Sequence, residues 1–240
     1  MDVREPAGDR AWDYRRLAWD VTAECWRSVG PEDGDRTGFA DLLGPERPPL
    51  LAYAIEWLDD LPAPVASVDP SAPPVAVGPD GSTAALDTAD RQWLARWWPA
   101  SEPGRAVVGR TRDAAWRWLA QRLPPGSLLV SVDYGHVRAE RPVDGGLAAY
   151  RDGLRVEPGP GTNVTAGVAV DALAAAVEET GAQRLWCHRL ADLPADFWDR
   201  TQRAGLAGLA MRSQVQLLRD PRRFGQFWLV AHRIPAPGRP

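Results

Sequence analysis

The chain has 240 residues, of which 45% are hydrophobic and 25% charged, the make-up of an ordinary globular protein with room for one sizeable core. Its formal net charge is −4 and its arginines are scattered, so it carries no electrostatic footprint for nucleic acid. There is no lysine, which excludes a Schiff-base lysine and a phosphate-loop lysine in this chain.

The two cysteines, Cys25 and Cys187, lie far apart, and His136, His188 and His232 are dispersed. No CxxC and no metal-ligand spacing results, so a reduced, cytoplasmic chain without a metal is expected. The opening residues are charged and have no apolar centre, and no apolar run nears the ~20 residues of a membrane span. Neither a signal peptide nor a membrane segment is therefore expected. Twelve tryptophans are present, and several recur at helical spacing, which reads as packing.

In chain order, residues 1–10 read as disordered. Tyr14, Leu17, Ala18, Val21 and Cys25 recur loosely at helical spacing and predict a helix over Trp12–Val29. Leu50–Ile55 is an apolar run that predicts a buried strand, ending at Glu56-Trp57-Leu58-Asp59-Asp60. The alternating runs Val65–Val68 and Val75–Val77 predict a small inserted hairpin, with Pro79-Asp80-Gly81 as a turn. Thr88–Trp98 reads as a helix with Trp93, Leu94 and Trp97 on one stripe, and Arg105–Val108 as a short strand. Thr111 is the predicted N-cap of a helix over Arg112–Leu123, stopped by Pro124-Pro125-Gly126.

Leu128–Val132 follows as a central strand that closes at Asp133. A helix leading into such a strand is the step that builds a parallel α/β sheet. Arg141–Thr165 reads as a long Gly/Pro-rich loop. Val170, Leu173, Ala174 and Val177 mark a helix closed by Gly181. A strand over Gln183–Cys187, a helix over Asp196–Leu209 and a last strand over Gln226–His232 complete the pattern. Open α/β sheets put ligands at strand ends, where Asp133 falls, but an Asp before Tyr-Gly-His is also an ordinary turn cap. Glu56 and Asp59 are open to the same two readings.

Five blocks stand in order: AIEWLDDLP (Ala54–Pro62), DRQWLARWWP (Asp90–Pro99), GRTRDAAWRWL (Gly109–Leu119), DYGH (Asp133–His136) and AYRDGLRV (Ala149–Val156). Together they resemble the MidA family of class I S-adenosylmethionine-dependent methyltransferases, in its actinobacterial branch. The resemblance implies an α/β fold, a partial Rossmann-like class I methyltransferase sheet with a small inserted β-hairpin. In that fold the methyl donor sits over the ends of the first and fourth strands, and Leu50–Ile55 matches the fourth and Leu128–Val132 the fifth. The resemblance implies Glu56 and Asp133 as catalytic residues near the surface, facing one cleft. It implies Trp57, Asp59, Tyr134 and His136 as groups that bind substrate or S-adenosyl-L-methionine. A protein side chain, arginine in the family, is the implied acceptor.

The departures are specific. No intact Gly-x-Gly loop is present, and residues 1–49 offer no candidates for the first three strands. Ile55 stands where the family has Asn, Asn163-Val164-Thr165-Ala166-Gly167 replaces Asp-x-Thr-Ala-His, and His188-Arg189 replaces Gln-Arg. The expected division is therefore 1–49 as a degenerate or truncated donor-binding part, 50–234 as the methyltransferase domain with an insertion about 62–104, and 235–240 as tail. Donor binding is expected to be weak or lost. The alternatives are a non-catalytic binding or assembly protein that keeps the fold, and a chain begun at an internal methionine. If the first strands are missing, Leu50–Ile55 becomes an unprotected edge, covered by the helix Trp12–Val29 or available for self-association.

Overall fold

A computed structural model describes residues 46–78, 80–159, 161–199 and 205–236, with the backbone of three further strands, β1 (Asp2–Ala7), β2 (Ala11–Asp20) and β3 (Cys25–Ser28). The main sheet adds β4 (Leu51–Ile55) and, after an inserted unit, further strands. That unit consists of β5 (Val65–Asp69), β6 (Ala72–Val77), β7 (Thr83–Ala85), helix α1 (Thr88–Trp97) and β8 (Gly104–Val107). Helix α2 (Arg110–Ala120) then leads into β9 (Leu128–Asp133) and the short β10 (Gly135–His136). Next come β11 (Leu147–Arg151), β12 (Leu154–Val156), β13 (Asn163–Ala166), β14 (Val168–Ala169) and α3 (Val170–Glu178). The chain closes with β15 (Gln183–Arg189), α4 (Ala195–Asp199), α5 (Gly205–Arg219) and β16 (Trp228–Arg233).

The main sheet is seven-stranded, in the order β15-β16-β9-β4-β1-β2-β3. β4 and β9 are parallel, in register from Leu51 opposite Leu128 to Ile55 opposite Val132. β16 lies antiparallel between β9 and β15. This is an α/β fold, and its central parallel pair is the one expected from the two apolar runs.

Small residues make that pair packable. Ala52 and Ala54 of β4 and Leu129 of β9 point to one face, where they meet Ala115, Trp116 and Leu119 of α2 and Leu173, Ala174 and Val177 of α3. The alanines let the helices approach closely, and Trp116, Leu119, Leu129 and Leu173 are fully buried. On the other face, Leu229 of β16 joins Leu190, Leu193, Trp198 and Phe227 in a smaller cluster. The inserted unit has its own core around Trp93, Leu94 and Trp98 of the α1 region.

Several expectations change. Residues 11–20 and 25–28 are strands, not the helix Trp12–Val29, and residues 2–7 are a strand, not disordered. Trp12, Tyr14 and Trp19 bring β-propensity that outweighs the loose helical spacing. β1 runs antiparallel to β4 through the pair Val3–Ala52, so a strand, not a helix, borders Leu51–Ile55. The insertion is larger than a hairpin: β5 and β6 do pair, but β7 and β8 extend them to four strands, ordered β7-β6-β5-β8. Pro79 lies outside the described residues; between β6 and β7 the Gly78 N–H donates to the Ser82 carbonyl (2.8 Å).

Thr111 lies inside α2, whose N-cap is Gly109, and its hydroxyl donates to the Pro62 carbonyl (2.7 Å). The long loop over Arg141–Thr165 contains a three-stranded sheet, β12-β11-β13. Asp152 and Gly153, both with positive φ (52° and 76°), form the two-residue turn that pairs β11 with β12. The helix over Asp196–Leu209 is two helices, α4 and α5, and residues 200–204 lie outside the described residues. Among the described residues no helix is long and apolar enough to cross a membrane.

Replacing fully buried Leu129 by Ala is expected to cost ~2–5 kcal/mol in urea unfolding. The same change at Leu154, which is 70% exposed, is expected to stay within about 0.5 kcal/mol. Equal effects would contradict the burial pattern.

Candidate functional site

β4 and β9 end side by side, and the chain leaves each through a turn carrying acidic residues. Glu56 is the first residue after β4. Its backbone is left-handed (φ 47°), a conformation that costs a non-glycine residue energy, and its N–H donates to the Val132 carbonyl (2.9 Å). The side chain is exposed. Tyr134, 48% exposed, follows β9 and packs on Phe227 with ring centroids 4.1 Å apart. The Tyr134 phenol is held above its ordinary pKa by partial burial first, then by the fields of Glu56 and Tyr150. Glu56 and Tyr134 thus follow the neighbouring ends of the parallel strands β4 and β9.

Asp133 has a different role from the one expected of a surface group. It is buried, at 1% exposure. Its Oδ2 accepts from the backbone N–H groups of Trp57 (3.2 Å) and Leu58 (2.8 Å), and its Oδ1 from Tyr134 N–H (2.9 Å). The carboxylate therefore fastens the turn that carries Glu56 to the end of β9. Burial, reinforced by the charge of Asp59, raises its pKa to about 7 despite those donors.

Asp59 closes the same turn from below. It is buried; Oδ2 accepts the Thr165 hydroxyl, while Oδ1 has no hydrogen-bond partner among the described residues. Arg112 of α2, 3% exposed, completes the floor. Its guanidinium donates to the carbonyls of Asp59 (2.5 Å), Leu61 (3.2 Å) and Ala166 (2.9 Å). One buried cation thus ties α2, the turn after β4 and the end of β13 together.

Trp57 and His136 do not join Glu56. Trp57 is half-buried and packs against the main core. His136 is buried at the joint with the inserted unit, edge-on to Trp98 at 4.9 Å. Its Nδ1 lies 2.7 Å from Arg141 Nη1, and burial, then the Arg141 charge, push its pKa down to about 3. The ring is neutral and accepts from Arg141. Arg141 also donates to Asp171 (2.5 Å) and to the Trp97 carbonyl (2.9 Å), so this cluster holds the insertion to α3. A cavity of about 500 Å³ beside β15, lined by Arg184, Trp186, Cys187 and Trp228 among others, includes none of the six expected site residues.

Of those six, the structure brings Glu56, Asp59, Asp133 and Tyr134 to one strand-end region and sets Trp57 and His136 apart. Arg112, Thr165 and Tyr150 were not singled out from sequence. Arg112 lies in the Gly109–Leu119 block and Tyr150 in the Ala149–Val156 block, but Arg112 and Thr165 meet partners about fifty residues or more away, beyond the reach of local spacing.

No protein-family model matches the chain, and no curated protein matches it either. Solved structures do. One is an uncharacterized COG1565 superfamily protein from Burkholderia thailandensis, at 20% identity and TM-score 0.60. It is matched over 81% of this chain and 58% of its own. Another, from the same organism, is titled a COG1565 superfamily member and candidate methyltransferase bound to S-adenosyl-homocysteine. It matches at 18% identity and TM-score 0.56, over 81% of this chain and 56% of its own. The class defined is one of fold: a mixed α/β protein like those of the COG1565 superfamily. This chain spans less than two thirds of either neighbour.

Asp133 makes a pH prediction. Its folded pKa, about 7, exceeds the unfolded value near 4, so the native state holds a proton that the unfolded chain releases. Its contribution to stability is fully present below about pH 4 and is lost as pH rises to about 7. His136, lowered to about 3, and His232, lowered to about 4, slope the opposite way below pH 6.5. The difference in unfolding free energy between wild type and Asp133→Asn isolates the acid. It should favour wild type more at pH 4.5 than at pH 7.5. A difference that grows with pH would show that Asp133 is ionised throughout.

Proposed function

We propose that this chain works in S-adenosylmethionine-dependent methyl transfer of the MidA type and builds the side of the site that holds the acceptor, an arginine side chain of a protein. The observation that carries this reading is Glu56. An exposed carboxylate stands on a strained residue beside Tyr134, at the carboxyl ends of two parallel strands, where sheets of this kind place their ligands. The fold shared with a neighbour that holds S-adenosyl-homocysteine supports the choice of reaction.

The described residues do not fit the methyl donor. A donor over β4 needs backbone that can come close to it, as a glycine-rich turn after a parallel strand does. The strand beside β4 is β1, which runs antiparallel, so its starting end and not such a turn lies toward Glu56. What the chain's own residues do concerns the acceptor. Glu56 accepts charge-assisted hydrogen bonds from a guanidinium, turns one nitrogen outward and can take a proton from it. Tyr134 gives the cation an aromatic face. Asp133, Asp59 and Arg112 keep the Glu56 turn fixed, which is where the gain from orientation lies.

A second reading, a binding or assembly protein that keeps the fold without catalysis, is favoured by the antiparallel β1. Labelled methyl transfer to a lysate of the native host, at millimolar donor, separates the two. Glu56→Gln keeps size and removes charge, and is expected to lower turnover by ~10²–10⁴. Equal labelling by wild type and variant would remove Glu56 from the site. No labelling by wild type would favour the binding protein.

A further inference from the structure

A smaller cavity, of about 130 Å³, lies where the inserted unit meets the segment that follows β10. The loop after α1 and Arg105 of β8 line it from the inserted unit, and Arg138, Arg141 and Val143 from the other segment. No residue of the Glu56 turn borders it. The two sides are fixed to each other. Arg105 N–H donates to the Val143 carbonyl (2.7 Å), and Arg105 forms a parallel bridge with Asp144. Gly104 permits the approach, since a Cβ there would stand 2.3 Å from the Val143 oxygen. Trp98 and the Arg141 side chain, 5% and 6% exposed, are the buried members of the lining.

Three guanidinium groups, those of Arg105, Arg138 and Arg141, thus border one small space together with a single acid, Glu102. Arg141 uses four of its five N–H donors on the Trp97 carbonyl, on His136 and on Asp171, which leaves one on Nη2. Arg105, Arg138 and Glu102 are exposed and make no ion pair among the described residues. Burial first, and the Arg138 charge among the lesser causes, lower the Arg141 pKa, so the two guanidinium groups feel each other across this joint. Like charges gathered around a cavity favour an anion among them. We propose that this cavity binds a phosphate group. Its volume lies below the ~300 Å³ at which pockets for whole drug-sized ligands begin, so one small group enters and the rest of a larger ligand stays outside. A carboxylate offers two oxygens in one plane, whereas phosphate offers oxygens in several directions and can meet guanidinium groups from separate segments at once. Bound there, it bridges the inserted unit to the segment after β10. The phosphate is either free in solution or carried on a protein side chain.

Calorimetric titration of the full chain with inorganic phosphate, with acetate at matched ionic strength and with a short peptide bearing one phosphoserine tests this. Phosphate is expected to bind saturably at one site, at least about tenfold tighter than acetate. Arg105→Gln and Arg138→Gln are each expected to weaken phosphate binding about tenfold, the scale of one charge-assisted hydrogen bond. Both side chains are exposed, so the circular dichroism and melting temperature measured without phosphate should not change. Arg212→Gln, which removes the same charge from α5, is expected to keep wild-type affinity. A phosphopeptide that binds tighter than inorganic phosphate, and not at all once dephosphorylated, identifies a phosphorylated protein as the source. Equal or weaker binding of that peptide identifies free phosphate. The proposal is overturned if neither probe binds saturably up to about 10 mM, if acetate binds as well as phosphate, or if neither arginine variant changes the affinity.

Discussion

The candidate site depends on how the chain leaves β4. A turn directly after a buried parallel strand carries backbone N–H and carbonyl groups that need partners out of water. Here a buried carboxyl group and a buried guanidinium supply them from opposite sides. Asp133 takes the N–H groups of Trp57 and Leu58, and Arg112 gives its protons to the carbonyls of Asp59 and Leu61. The two do not hydrogen-bond to each other, and the Arg112 guanidinium also lies in the favourable fields of Asp59 and Asp133. Removing either would leave peptide groups of the turn unpaired in the interior, which is costly. The strained backbone of Glu56 persists because the turn is held at both ends.

The same arrangement separates two functions among residues that look alike in sequence. Glu56, Asp59 and Asp133 are all strand-end acids, yet only Glu56 is exposed. Asp133 keeps three backbone donors occupied, and Asp59 holds Thr165 and hence the three-stranded sheet. Both buried acids belong to the support of the site, and Glu56 is the group free to meet another molecule. The Arg141 cluster does comparable work further out: a neutral His136, Asp171 and the end of α1 are joined by one guanidinium, which fixes the inserted unit relative to α3.

Much of this was legible where burial and local chemistry agree. Leu50–Ile55 and Leu128–Val132 are apolar runs ended by turn residues, and both are strands of a parallel pair. The helix read over Thr88–Trp98 is also present, over Thr88–Trp97, but its cap, Asp87, accepting from Asp90 N–H (2.6 Å), was not read from the sequence. The Gly/Pro-rich stretch after Arg141 was not legible as a sheet, because its strands are three to five residues long and rich in alanine. Residues 11–28 misled because aromatic residues at mixed spacing fit both periods. Which acid would be buried was not legible at all. Asp133 and Glu56 differ only in what comes back to meet them, and those partners are set by tertiary contacts more than seventy residues apart.

In the proposed reading the described residues build the acceptor side of the sheet and not the donor side. β4 and β9 present Glu56 and Tyr134, while the neighbour of β4 runs the wrong way to bring a glycine-rich turn to the same end. Calorimetric titration of the chain with S-adenosylmethionine tests this division most directly. The account predicts a dissociation constant weaker than about 100 µM, a binding free energy smaller than about 5.5 kcal/mol in magnitude. A dissociation constant in the low micromolar range would contradict it.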